Sequence, residues 1–268
     1  MNKKLLKRIL VASAISVLGV STSFAALVME RDQSVDTAPS VNMYRFEVPA
    51  DLQGTYNNVG VSNLTASMEK EPNTLSMNIA HVKGNPPESY VVEIYKDLAA
   101  IETHRKSDHY QAFVNEVGSK LTNRKMYDVQ SVLLFEKKDA LSIVNDGKAV
   151  VTLTEFTVNS NDTDTVQRQY QLDIERAVRD DAGYKAGYVL RERNVKNRWY
   201  VIQIYSDQAA LTKHVNSPGY RFMMSQIQGS LQNVTTKVLD GDTLVNHGGQ
   251  ADDTSLRNST SAAARRHS

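Results

Sequence analysis

Two histidines five positions apart, His104 and His109, follow a segment containing Glu93 and Tyr95 and precede the aromatic pair Tyr110 and Phe113. Histidine takes and returns a proton near neutral pH, so His104 is the first candidate for a general base and His109 the second. Glu93 and Tyr95 can orient a substrate hydroxyl, and Tyr110 and Phe113 can wall an apolar pocket. A plainer reading stands beside this one. A histidine at a joint between helices also serves by hydrogen-bonding backbone there, and Tyr110, Phe113 and Val117 fit the buried seam of a helix. A metal reading of His104 and His109 is disfavoured: five residues along a helix do not put two imidazoles on one face, and no third ligand recurs nearby.

The elements that must position these groups occur twice. Tyr90-Val-Val-Glu-Ile-Tyr-Lys-Asp-Leu-Ala-Ala-Ile-Glu-Thr-His104 returns 110 positions later as Tyr200-Val-Ile-Gln-Ile-Tyr-Ser-Asp-Gln-Ala-Ala-Leu-Thr-Lys-His214. The match continues through Ser107/Ser217, Tyr110/Tyr220, Leu121/Leu231 and Asn123/Asn233 without insertion. So long a period with two copies means two copies of one small domain rather than a solenoid.

In copy one, alternation around Tyr44, Phe46 and Val48 predicts a strand over 42–48, matched by 150–158. Helical spacing predicts helices over 52–69 and 163–180. Strands are predicted at 74–82 and 185–193, turns at 84–87 and 194–197, and apolar strands at 90–95 and 200–205. A short helix ends near His104 or His214, and another begins at Ser107 or Ser217. Ser217-Pro218 is an N-cap followed by proline at the first helical position, where its fixed φ suits the turn. A last strand covers 126–136 and, more weakly, 235–245.

This order of strand, helix, strand, strand, helix, strand is α+β and ferredoxin-like (βαββαβ). Residues of both parities in 90–95 are apolar or aromatic, so both sheet faces should be covered. Helices cover one face and the other copy covers the second. The expected architecture is two tandem domains, 41–138 and 149–246, packed as an intrachain dimeric α+β barrel. Such an internal pseudo-dimer leaves further homo-oligomerisation open.

Met1 to Arg8 carries four positive charges, an apolar run covers Ile9 to Val20, and small residues lead to Ala25. This is the layout of a signal peptide over 1–25, too short for a membrane span. The expectation is a periplasmic or secreted protein without a membrane span after cleavage. Losing Lys3, Lys4, Lys7 and Arg8 takes Lys+Arg from 31 to 27 against 30 Asp+Glu, which leaves no basic stripe for nucleic acid. The 268-residue chain has no cysteine, which excludes disulfides and thiolate chemistry. Residues 247–268 are small and polar and read as a disordered tail.

From Glu93 to Tyr110 copy one resembles the antibiotic biosynthesis monooxygenase (ABM) family. The shared pattern is a strand ending in an aromatic, an Asp turn, an Ala-Ala helix start, a histidine and a serine three positions on. Copy two keeps Tyr205, Asp207, Ala209, Ala210, His214 and Ser217, but has Pro218-Gly219 for Asp108-His109 and Gln203 for Glu93. The resemblance implies a dimeric α+β barrel and fixes fold better than reaction, since members include cofactor-free oxygenases of phenols and quinols as well as haem degraders. The haem degraders carry a histidine ligand at the place of Val114 here, and of Met224 in copy two, so haem is disfavoured. With no phosphate loop or nucleophile elbow, no cofactor is expected.

Cofactor-free oxygenation needs a base to make the anion of an electron-rich aromatic, and a dry pocket where that anion reduces dioxygen. The resemblance thus implies an exported, cofactor-independent monooxygenase acting on a small aromatic or quinol. His104 would be its base, and Glu93, Tyr95, His109, Tyr110 and Phe113 its substrate-binding residues. The other reading is a non-catalytic envelope protein that uses the barrel to hold an apolar ligand or a partner.

Overall fold

In a computed structural model that describes residues 39–249 apart from 196, the two copies share their strands. The segment 1–25 expected as a signal peptide, and residues 250–268 of the tail expected over 247–268, lie outside the described residues. Copy one runs β1 (Ser40–Glu47), a 3₁₀ turn (Ala50–Leu52), α1 (Gln53–Lys70), β2 (Thr74–Val82), β3 (Asn85–Tyr95), α2 (Leu98–Lys106), α3 (Asp108–Phe113) and β4 (Thr122–Tyr127). The chain continues through β5 (Val129–Glu136) and β6 (Leu141–Val144) into copy two: β7 (Val150–Val158), α4 (Thr163–Asp180), β8 (Tyr184–Glu192), β9 (Arg198–Tyr205), α5 (Gln208–Val215), α6 (Pro218–Ile227) and β10 (Leu231–Asn246).

The expected final strand of copy one breaks at Asp128, and this break joins the halves. β4 pairs with β1 of its own copy, whereas β5 crosses over and pairs antiparallel with β8. β10 does both jobs in one long strand, its first part on β7 and its last part on β2. Hydrogen-bonded neighbours therefore run β4-β1-β3-β2-β10-β7-β9-β8-β5, with β6 an unforeseen addition beside β10. β5 returns against β1 and curls the sheet into a barrel.

Both faces of β3 are buried, as its mixed apolar parity required. Tyr90, Val92 and Ile94 face a central core shared with Leu153, Ile202, Ile204 and Leu239 of copy two. Val91 and Tyr95 face the helices of copy one, together with Tyr56, Leu64, Phe113 and Val117. A third core, around Trp199 and Ile174, lies between sheet and helices in copy two and takes in Leu133 from the exchanged β5. Replacing one such large core side chain by alanine costs about 3–5 kcal/mol.

Asn123 and Asn233 recur because the backbone requires them. Both have positive φ, 45° and 52°, at a shift of strand register. Asparagine tolerates this left-handed conformation better than most residues, so each marks a bulge where the closing strand bends.

Candidate active site

The joint between α2 and α3 is set by two side-chain caps. Asp97 accepts from the Ala100 amide at 2.9 Å and starts α2, and Ser107 accepts from the Tyr110 amide at 3.3 Å and starts α3. Ser107 also donates to the His104 carbonyl at 2.7 Å. At Ser107 itself the backbone is extended, with ψ at 148°. His104 and His109 therefore sit on different helices, and the spacing rule for a single helix does not apply to them.

Both imidazoles turn to Glu71, at the C-terminal end of α1. His104 Nδ1 lies 3.2 and 3.1 Å from the two carboxylate oxygens, and His109 Nε2 lies 2.7 Å from Oε1. Thr74 donates to Oε2 at 2.7 Å. Burial alone would raise the Glu71 pKa, but the hydrogen bonds from His104, Thr74 and His109 hold it below the ordinary carboxylate value. This corrects the sequence expectation that no third ligand-type residue lies near the two histidines: Glu71, His104 and His109 present ligand atoms within 4.8 Å of one another.

A carboxylate on Nδ1 fixes the histidine tautomer, leaving the Nε2 lone pair as the basic position. His104 Nε2 is buried and, among the described residues, without a hydrogen-bond partner. So is Asn63 Oδ1. Their equivalents in copy two face each other, His214 Nε2 lying 3.3 Å from Asp173 Oδ2 and 3.4 Å from Gln203 Nε2.

In copy one a cavity of about 20 Å³ opens between sheet and helices, with Tyr110 but not His104 on its wall. Asn63, Glu93 and Tyr110 give it polar character; Phe46, Leu64 and Phe113 are among its apolar walls. The Tyr110 ring lies 4.9 Å from that of His104, and burial pushes its phenol up to about 12. Of the residues expected to bind substrate, Glu93, Tyr110 and Phe113 line this space. Tyr95 stands behind it, donating to Glu93 Oε2 at 3.1 Å, where Asn42 also donates at 3.1 Å. Burial, and then the nearby Glu93 charge, keep the Tyr95 phenol well above its ordinary pKa. His109 is on Glu71 instead, away from the cavity wall.

In copy two a larger side chain stands beside the equivalent histidine. Tyr184 replaces Thr74 and packs its ring 4.9 Å from His214. Gly187 replaces Met77, and a Cβ there would meet the Tyr184 hydroxyl and Ile174. At Gly219, the position of His109, a Cβ would run into the Arg176 guanidinium. Copy one alone continues α3 as a π-helical turn, Val114–Gly118, an irregularity that often accompanies functional sites.

Glu71, Asn63 and Ser67 escaped the sequence reading. Their signal was a row of polar residues, 63, 67 and 71, at four-residue spacing along the buried side of α1.

The profile of the antibiotic biosynthesis monooxygenase family matches residues 39–116 and again 149–225. The chain belongs to that family. Among solved structures, a candidate monooxygenase from Lactobacillus acidophilus NCFM has 20% identity and a TM-score of 0.74, covering 80% of this chain and 99% of its own. Another from Fusobacterium nucleatum has 20% identity and a TM-score of 0.71, covering 81% and 98%. At this identity the likeness is one of fold, and it extends over both ABM copies. No curated protein matches by sequence.

Proposed function

We propose that the protein is a cofactor-independent monooxygenase of a small phenol or quinol, with copy one as its chemical half. The observation that carries this reading is the state of His104: Nδ1 on a buried carboxylate, Nε2 buried and unpartnered. In the reaction, Nε2 takes the substrate's hydroxyl proton. The resulting anion gives one electron to dioxygen, and the two radicals join at a ring carbon. Loss of water from that peroxide leaves one oxygen atom in a quinone, and the imidazolium returns its proton to the departing hydroxide. Glu93 and Tyr110 would hold the substrate's oxygen, and Phe113 its ring.

A void of about 20 Å³ holds roughly one water, so substrate entry requires α3 to move outward. The π turn at Val114–Gly118 is where that movement would be absorbed. The N-terminal segment supports action in the periplasm or outside the cell. A second reading is a binding protein that holds an apolar ligand or a partner without turnover, supported by the apolar space inside the barrel between Tyr90, Val92, Leu153 and Ile204.

Oxygen uptake with reduced quinones as sole substrates tests the enzyme reading. Consumption that depends on His104 is the expected result; equal rates for wild type and His104→Ala would remove His104 from the mechanism, and no uptake with any phenol or quinol would favour the binding role.

A further inference from the structure

We propose that Glu71, His104 and His109 form a binding site for one divalent transition-metal ion, with zinc as its simplest probe. Two imidazoles and a carboxylate suit an ion of borderline softness, and three protein ligands leave a fourth position open. The donor atoms already converge within 4.8 Å, from the end of α1, the last turn of α2 and the first turn of α3. His104 and Glu71 are buried and His109 is 10% exposed at its side chain, so an ion would sit at the edge of the fold rather than in open solvent. Thr74 holds the carboxylate from behind at 2.7 Å, the outer-shell contact that orients a ligand.

In copy two the equivalent carboxylate, Asp181, does pair with a cation, its Oδ1 lying 3.3 Å from Lys213 Nζ. There the space of the missing His109 side chain is taken by Arg176, whose guanidinium bonds Asp173 at 2.5 Å and Ser217 at 3.4 Å. Copy two thus carries a fixed cation between its long helix and its last helix. The partners of Glu71 among the described residues are instead His104, His109 and Thr74, a set that can gain a cation or release it.

This site goes beyond the proposed oxygenation and does not rest on it. It does bear on it, because an ion on Nδ1 moves the imidazole proton to Nε2. The metal-bound and basic forms of His104 therefore exclude each other.

The test is equilibrium dialysis of the full chain against zinc sulfate without any substrate, with bound metal counted by mass spectrometry. One ion per chain is expected for wild type and none at this site for His109→Ala. Thr74→Val, which keeps all three ligands, should bind roughly 10–100-fold more weakly. Histidine ¹⁵N spectra should show the His104 proton moving from Nδ1 to Nε2 on loading. Failure of wild type to bind zinc, or equal binding by wild type and both variants, would overturn the site while leaving the oxygen-uptake result standing.

Discussion

His104 and His214 hold the same place in the two copies but turn opposite nitrogens to acid. His104 presents Nδ1 to Glu71 at 3.1 Å, whereas His214 presents Nε2 to Asp173 at 3.3 Å. The partners decide the difference. Copy one has Asn63 where copy two has Asp173, so its only nearby carboxylate on α1 is the one at the helix end. The ring of His104 therefore anchors outward and leaves Nε2 inward, whereas His214 is tied on the inside. On the proposed reading His104 serves as a base and His214 as a joint.

That contrast separates the two by mutation. His104→Ala should lower oxygen uptake with a turned-over quinol by roughly 10²–10⁴-fold, the usual contribution of a positioned base. His214→Ala should leave the rate near wild type and instead lower stability by about 1–3 kcal/mol, because buried Gln203 loses a hydrogen-bond partner. Rates and thermal midpoints measured on both variants check the assignment. A rate loss in His214→Ala alone would place the chemistry in copy two.

The duplicated pattern made the βαββαβ order legible, because each weak element was supported by its counterpart 110 residues away. The Ser217-Pro218 start of α6 was legible from cap chemistry alone. Strand exchange was not: Tyr127 and Val129 both read as strand, and nothing local says that Asp128 sends the next residues to another copy's sheet. His104, Tyr110 and Phe113 stood out in the sequence because their types are chemical and their spacing is helical; the fold puts Tyr110 and Phe113 on one cavity wall and His104 behind Tyr110. Glu71 was not, since an acid near a helix end ordinarily faces solvent, and only the fold shows two histidines folding back onto it.

Packing differences between the copies predict a paired substitution effect. Gly187 has no side chain because Tyr184 and Ile174 occupy its space; in copy one Met77 fills it beside the smaller Thr74. Gly187→Ala should destabilise by about 1–3 kcal/mol through overpacking. In Tyr184→Phe, which removes the nearest clashing atom, the same glycine substitution should cost less. Denaturant midpoints of the four proteins in this cycle measure the coupling, and strict additivity would show that the hydroxyl is not the obstacle.

Glu136 gives a stability change of known sign with pH. It lies buried in the barrel, accepts from the Tyr188 hydroxyl at 2.7 Å, and is pushed by burial from 4.5 to about 7. A raised carboxyl pKa stabilises the fold fully below the unfolded value and loses that stabilisation as pH rises through the folded value. Wild type should therefore lose on the order of 3 kcal/mol between pH 4.5 and 7 through this group. Glu71, held low, works in the opposite sense at more acidic pH. Glu136→Gln keeps an oxygen for Tyr188 but removes the titration, so its urea midpoint should exceed that of wild type at pH 8 and match it near pH 4. Parallel curves for the two proteins would mean that Glu136 is ionised in the fold.

Separating the copies exposes what strand exchange protects. Residues 39–146 alone would keep β3 on β2 but lose β10 from its other edge and β8 from β5, and would bare Tyr90, Val92 and Ile94 of the shared core. Unpaired strand edges beside an apolar face invite association. Because β5 and the end of β10 are equivalent, β5 of one isolated copy can take the place of β10 on β2 of another. The fragment should therefore form a two-fold dimer that rebuilds the barrel, with a mass by light scattering twice that of the fragment and a melting temperature that rises with concentration. A folded, monodisperse monomer would mean that each copy closes its own sheet, and that the exchange through Asp128 and β10 adds little to stability.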